Sequence, residues 1–149
     1  MSKITAVYQR RPGVCTGTHA ELEQCHWQEY AKQQGYTDLK FYEDICRRDS
    51  SIGSRPAMKQ LKAEIEQENV ERVLVKSLSR IGGNLIDVML WIRWLREKGV
   101  CLYAQAEGLS FTGETGNSEE NARQDMILAL LYAIAEEESR NKNNVMMPP

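Results

Sequence analysis

Short apolar runs, separated by longer segments with helical spacing, set the pattern of this chain. The runs lie at 4–8, 39–42, 73–75 and 100–103, and their low polarity predicts buried strands of a parallel sheet. Each run is followed by a segment in which apolar positions recur at helical spacing. Strand and helix alternate four times, which predicts an α/β fold with a mainly parallel central sheet and crossover helices.

The first two helices are predicted from their apolar positions. In the first helix, Leu22, Cys25, His26 and Tyr30 share one helical face. In the second helix, the positions that recur at helical spacing and predict a core-facing side are Met58, Leu61 and Ile65.

The third helix carries a predicted start signal. Asn84 precedes its apolar positions and Asp87 follows three residues later, an arrangement typical of an N-terminal cap. After the fourth strand, residues 108–121 are polar and rich in glycine, so we expect a loop there.

The last helix is apolar on nearly every side between 125 and 135. A helix of this kind must be covered on two sides, so we expect a homodimer or heterodimer through the helix containing Met126, Leu130 and Ile134. The alternative is a central helix buried within the monomer. The pattern is lost after residue 139, and residues 142–149 are expected to form a frayed tail.

Length and composition predict one ordinary domain. The chain has 149 residues, of which 42% are hydrophobic and 27% charged, enough to bury a core without disulfide or metal staples. No segment has the apolar length that spans a bilayer. We therefore expect a cytoplasmic protein that has no membrane partner and needs no cofactor.

The four cysteines form no CxxC pair, so free thiols are expected instead of a disulfide framework or a zinc ribbon. A metal site is conceivable because Cys15, His19, Cys25 and His26 are close in sequence. Their spacing fits no standard metal-binding pattern, so no metal is predicted.

The net charge of −2 limits the interaction with nucleic acid. Sequence-independent affinity for DNA comes mainly from Lys and Arg side chains that neutralise phosphates. The whole chain cannot supply a strong positive field, although separate arginines could converge in space. These arginines are Arg10, Arg11, Arg47, Arg48, Arg55 and Arg80.

Five short motifs follow one another along nearly the whole chain. The first strand ends in VYQR, and the second strand ends in YED. The second helix begins with RPAMKQL, the third strand and its turn contain VLVKSLSRIGGN, and the last helix contains AIAEEESR. In this order they resemble the catalytic domain of the resolvase/invertase family of serine recombinases. The resemblance implies a three-layer α/β/α resolvase-like fold, a long C-terminal dimerisation helix and site-specific DNA recombination.

The resemblance also implies active-site positions. It places the family's active-site residues at Arg10, Asp44, Arg55, Arg80 and Glu138. In this family a serine hydroxyl attacks a DNA phosphate, and arginines stabilise the charge that develops on the phosphoryl oxygens. Asp44 would orient one of the arginines.

The chain departs from the family at four other positions. Pro12 occupies the place of the nucleophilic serine and has neither a hydroxyl nor an N–H. Ser79 stands for an aspartate and Gly83 for a second arginine of the turn. Glu23 lies near the place of a glutamine and would repel phosphate.

Three functions are compatible with these features. The first is a recombinase-like domain that is deficient in strand cleavage and acts through dimerisation or by modulating recombination. The second is an active recombinase with a displaced nucleophile at Cys15, Thr16 or Thr18, for which His19 could be the base. The third is an unrelated small α/β domain that binds a ligand at the strand ends.

Residues 1–141 are expected to form the recombinase-like domain. No helix-turn-helix pattern follows Arg140, so sequence-specific DNA recognition by this chain alone is not expected. DNA binding would be weak, or would depend on another domain or protein.

Overall fold

The structure of the chain is a computed structural model, and it describes residues 3–11, 17–47, 50–111 and 118–146. Within these ranges, the side chains at 17–20, 118 and 139–146 lie outside the description.

A five-stranded sheet in the order β2-β1-β3-β4-β5 forms the centre of the fold. The strands are β1 (Ile4–Arg11), β2 (Leu39–Ile45), β3 (Val70–Val75), β4 (Cys101–Ala104) and β5 (Leu109–Phe111). The first four are parallel to one another, and β5 pairs antiparallel with β4. The mainly parallel sheet predicted from the sequence is therefore confirmed.

The strand β5 lies inside the segment 108–121 that was expected to be a loop, so this part of the prediction is wrong. Its three residues alternate, with Ser110 exposed between the half-buried Leu109 and the buried Phe111. A positive φ of 65° at Gly108 turns the chain back along β4. Three residues are too few for the alternation to be recognised in the sequence.

In the described part of the chain, four α-helices cover the sheet: α1 (Gly17–Gln34), α2 (Pro56–Glu66), α3 (Leu85–Glu97) and α4 (Ser118–Met146). The larger core contains residues of α2, α3 and α4 together with Ala6 and Tyr8 of β1. The smaller core lies on the opposite side, where Trp27 of α1 packs with Val7 and Leu74. This is the three-layer arrangement expected of the fold.

The apolar face predicted for α1 is wrong for three of its four residues, since only Tyr30 packs, half-buried, against the smaller core. Leu22 is 63% exposed, and Cys25 and His26 are exposed as well. Among the side chains of α1 that the structure describes, the buried ones are Trp27 and Ala31, one turn apart. Tryptophan has the largest apolar surface of any side chain, and its burial determines the rotation of this helix.

The predictions for α2 and α3 are confirmed. Met58, Leu61 and Ile65 are buried in the larger core. The backbone N–H of Asp87 donates a 2.9 Å hydrogen bond to Oδ1 of Asn84, which is the N-cap of α3. This bond satisfies one of the donors that a helix start leaves without an intrahelical partner.

One side of α4 packs on the domain and the other does not. Leu128 is fully buried, and the Tyr132 hydroxyl donates a 3.3 Å hydrogen bond to the carbonyl of Gly82. Met126, Leu130 and Ile134, which recur every fourth residue, are 68%, 61% and 54% exposed. The helix continues to Met146, past the boundary expected at residue 141. Among the described residues, no helix has the length and apolar character needed to cross a membrane.

Replacing Asn84 with alanine removes the acceptor for the Asp87 N–H, so the free energy of unfolding should fall by about 1 kcal/mol. Urea denaturation followed by circular dichroism measures the change. Asn84→Ser is the matched control, because it keeps a side-chain acceptor at the cap without placing a second carboxylate beside Asp87, and it should stay within about 0.5 kcal/mol of the wild type. An equal loss in both variants would contradict the cap as the cause.

Candidate active site

The carboxyl ends of the parallel strands bring four predicted site residues to one edge of the sheet. Arg10 lies at the end of β1 and is in register with Asp44 on β2. Arg80 belongs to a short 3-10 helix, Leu78–Arg80, that follows β3 and is called the Arg80 turn below. Arg55 precedes α2 and is its N-cap residue. This edge is where open parallel sheets commonly bind ligands.

Asp44 fixes the start of α2. Its carboxylate is buried and accepts hydrogen bonds from the backbone N–H groups of Ala57 at 2.8 Å and Met58 at 3.0 Å. It also accepts a 2.9 Å bond from the hydroxyl of Tyr8. An acceptor with negative charge is favourable at the N-terminus of a helix. Asp44 is linked to Arg55 through that same hydroxyl, to which Arg55 donates at 3.3 Å.

Arg55 is 1% exposed, and its guanidinium joins three segments of the chain. Nη1 donates to the carbonyls of Arg80 at 3.0 Å and Ile81 at 2.7 Å. Nη2 donates to the carbonyl of Ser50 at 3.2 Å, and Nε donates to the Ser50 hydroxyl at 3.2 Å. These bonds hold the Arg80 turn against β1 and the segment that leads to α2. Arg55 therefore contributes its charge to the site while its N–H groups bind the protein.

Arg10 and Arg80 complete a cluster of three arginines. Nη1 of Arg80 donates a 2.6 Å hydrogen bond to the carbonyl of Arg10, and Nη1 of Arg10 donates to the carbonyl of Cys46 at 3.2 Å. Burial, and next the positive charges of Arg55 and Arg80, lower the pKa of the Arg10 guanidinium. Nε of Arg10 is buried and has no hydrogen-bond partner in the described part of the chain. The three charges are thus close enough to repel one another, and a bound anion would relieve that repulsion.

Tyr8 is a member of this network that was not predicted as a site residue, although it belongs to the motif VYQR. Its ring is fully buried, and burial is the main cause that raises the pKa of its phenol above the ordinary value. It lies two residues before Arg10 on the same face of β1. That period-two spacing, tyrosine then arginine at a strand end, is the signal that could have identified it.

The remaining predicted positions lie elsewhere or outside the described residues. Glu138 is exposed on α4, and the structure gives it no hydrogen bond to the three arginines in the described part of the chain. Ser79 is half-buried, with its hydroxyl 2.8 Å from that of Ser77. Gly83 is half-buried between the Arg80 turn and α3.

The expected nucleophile position lies outside the described residues. Pro12 and two of the alternative nucleophiles, Cys15 and Thr16, lie outside the described residues. Thr18 and His19 belong to the first turn of α1, and their side chains are not described.

The charge of Glu23 is balanced by two cations. Its carboxylate is 3.6 Å from Nη2 of Arg11 and 3.7 Å from Nζ of Lys76. Arg11 is also 2.9 Å from the carboxylate of Glu43. Because side chains alternate along β1, Arg11 faces α1 while Arg10 faces the other layer. Glu23 therefore forms an ion-pair group on the α1 side, and the repulsion of phosphate expected from its charge alone is reduced.

The arginine cluster has the chemistry of an anion site. Guanidinium groups stay ionised and donate hydrogen bonds in a fixed planar fork that matches phosphate oxygens. The carboxylate of Asp44 accepts its hydrogen bonds from Tyr8 and from the start of α2. None of these bonds joins it to the N–H groups of Arg10 or Arg80.

Comparison with solved structures shows the same fold. The N-terminal catalytic domain of TP901-1 integrase aligns with a TM-score of 0.65 and 22% identity over 91% of this chain and 98% of that one. A resolvase family site-specific recombinase from Streptococcus pneumoniae aligns with a TM-score of 0.64 and 19% identity over 95% and 93%. The C-terminal catalytic domain of ISC1926 TnpA, an IS607-like serine recombinase, gives 0.57 and 17% over 91% and 84%.

Comparison of sequences gives the family. No curated protein matches the chain. The family model described as "Resolvase, N terminal domain" matches residues 8–146, which excludes the alternative of an unrelated small α/β domain. The chain therefore belongs to the resolvase N-terminal domain family and is a protein like the catalytic domain of a site-specific recombinase.

Proposed function

We propose that this domain binds a DNA phosphate at the cluster of Arg10, Arg55 and Arg80, and that it is deficient in strand cleavage at residue 12. It acts through pairing with a second recombinase-type subunit. Family membership supports DNA interaction and dimerisation in general terms. The observation that carries the proposal is the convergence of three arginines, in which Arg80 donates to the carbonyl of Arg10 and Arg55 donates to the carbonyl of Arg80.

A phosphate is the anion that this cluster suits best. Arg55 donates hydrogen bonds to the backbone of the Arg80 turn and so fixes its position. The side chain of Arg80 is only half-buried. Arg80 can therefore reach a ligand from a turn that is fixed in place. Pre-organised donors of this kind stabilise phosphoryl charge without a further cost of reorganisation.

The proposed deficiency in cleavage follows from the chemistry of proline. Formation of a phosphoserine link requires a hydroxyl that attacks phosphorus, and Pro12 has no such group. Gly83 has no side chain to donate to a phosphoryl oxygen. Phosphate binding and subunit pairing do not need either group.

The exposed face of α4 supports the pairing. Met126, Leu130 and Ile134 form one apolar row along the helix, whose opposite side is anchored by Leu128 and Tyr132. Burial of an exposed leucine-sized side chain is favourable by roughly 1.5–3 kcal/mol. A second copy of this helix, or that of a related recombinase, presents the matching apolar surface.

The phosphate proposal is tested by the salt dependence of binding to a short fluorescent DNA duplex. In a plot of log affinity against log salt, Arg80→Ala should reduce the slope by about 1, the effect of one lost phosphate contact. Arg123→Ala is the control, because Arg123 is an exposed arginine on α4 that pairs with Glu120. Equal effects of the two substitutions would mean that the cluster has no special role.

The pairing proposal is tested by the mass of the protein in solution. Light scattering should give a dimer for the wild type and a monomer for Leu130→Asp, because a charge in an apolar interface loses its hydration. Leu22→Asp is the matched control, since Leu22 is as exposed as Leu130 but lies on α1. A wild type that stays monomeric up to about 100 μM, a concentration at which complexes tighter than about −5.5 kcal/mol are detected, would refute the pairing of two copies.

The deficiency in cleavage is tested with a pool of random-sequence duplexes carrying central nicks. Denaturing electrophoresis and mass spectrometry should find no covalent protein–DNA adduct of the wild type. Pro12→Ser, which restores a hydroxyl at the expected position, is run in parallel. An adduct of the wild type at Cys15, Thr16 or Thr18 would show that the nucleophile is displaced and not lost.

A further inference from the structure

The Arg80 turn is capped by a residue from a different part of the chain. The backbone N–H of Leu78, the first in this turn, donates to the carboxylate of Glu107 at 3.0 Å to Oε1 and 3.4 Å to Oε2. Ser77 occupies the N-cap position but makes no capping hydrogen bond with its side chain. Glu107 therefore supplies the acceptor that the turn itself does not provide.

The segment that carries Glu107 is held rigidly. It lies in the connection between β4 and β5, whose backbone continues to pair with the chain beyond β3. The N–H of Gln105 donates to Val75 at 3.0 Å, and the N–H of Ala106 donates to Lys76 at 2.7 Å. Gly108, with φ of 65°, closes the connection through a 3.1 Å bond to the carbonyl of Gln105. The carboxylate thus reaches Leu78 from a fixed base.

The other end of the Arg80 turn leads directly into the arginine cluster. Its last residue donates to the carbonyl of Arg10 and accepts from Arg55 through its own carbonyl. From these contacts we infer that Glu107 is a positioning residue for Arg80. It fixes the start of the turn from which Arg80 reaches a phosphate, and this role rests on the proposed function of the cluster.

Glu107 also lies where the turn meets α4. Its side chain and those of Leu78 and Ser79 line a cavity of about 170 Å³ whose opposite wall contains Leu131 and Tyr132 of α4. Loss of the Glu107 carboxylate would leave the Leu78 N–H without its acceptor beside this cavity. The turn would then have space in which to shift.

Charge and positioning predict opposite results when Glu107 is replaced. Removal of a negative charge from the surface of a DNA-binding domain generally strengthens its binding to DNA. Removal of a positioning residue weakens it. The direction of the change in affinity therefore distinguishes the two effects.

The experiment measures the binding of the short DNA duplex to three variants of the full chain. Glu107→Ala should weaken binding about tenfold, the effect of losing a hydrogen bond to a charged acceptor. Glu107→Gln keeps an oxygen acceptor for Leu78 and should stay within about twofold of the wild type. Glu97→Ala, which removes an exposed carboxylate on α3, should leave binding unchanged or strengthen it. Stronger binding by Glu107→Ala would overturn the inference.

A double-mutant cycle tests whether Glu107 acts through Arg80. In an Arg80→Ala background, Glu107→Ala should cause no further loss of affinity, because the residue that it positions is already absent. Fully additive losses would overturn the inference. If Glu107→Ala does not fold, Glu107→Asp replaces it in the cycle, because the shorter side chain withdraws the acceptor while keeping the charge.

A measurement without DNA separates this inference from the proposed function. NMR should show faster hydrogen exchange of the Leu78 amide and a shifted Nε resonance of Arg80 in Glu107→Ala, with both unchanged in Glu107→Gln. If DNA binding proves independent of Arg80, the proposed function fails, and the two NMR signals still decide the positioning role. Wild-type exchange and resonance in Glu107→Ala would refute that role.

Discussion

The buried guanidinium of Arg55 is the interaction on which the arrangement of the site depends. A charge with almost no access to solvent is stable only when the protein satisfies its donors, and here the acceptors are Tyr8, Ser50 and two carbonyls of the turn after β3. These acceptors belong to three segments far apart in sequence. Because one rigid group binds all three, the strand ends cannot move independently. Asp44 adds the start of α2 to the same assembly.

The two faces of β1 divide the charged residues into groups with different roles. Tyr8 and Arg10 face the layer that contains α2 and α3, where positive charge is left in excess. Arg11 faces α1, where Glu23 and Glu43 balance it. Strand alternation alone thus separates the arginine cluster from an ion-pair group that ties α1 to the sheet. Adjacent arginines in the sequence serve opposite layers of the fold.

Local features of the fold could be predicted from the sequence, and features that depend on competing contacts could not. The Asn84 cap and the buried side of α2 follow from short-range geometry, so both were predicted. The rotation of α1 was predicted wrongly because two apolar faces compete, and burial of Trp27 outweighs that of Leu22. The motifs named three arginines that the structure brings together, but not the groups that accept their hydrogen bonds. Arg55 binds backbone carbonyls, which any residue provides, and the carboxylate of Glu107 binds a backbone N–H.

The location of the arginine cluster has a consequence for how the domain would meet its target. The chain as a whole carries a net charge of −2, while the positive cluster is recessed at one edge of the sheet. At physiological ionic strength, charges are screened beyond roughly 8 Å. A distant duplex would therefore feel little attraction, and only a phosphate delivered to the edge of the sheet would feel the full field. If the proposed phosphate site operates, such a domain would discriminate by access and would ignore most of the DNA that it encounters.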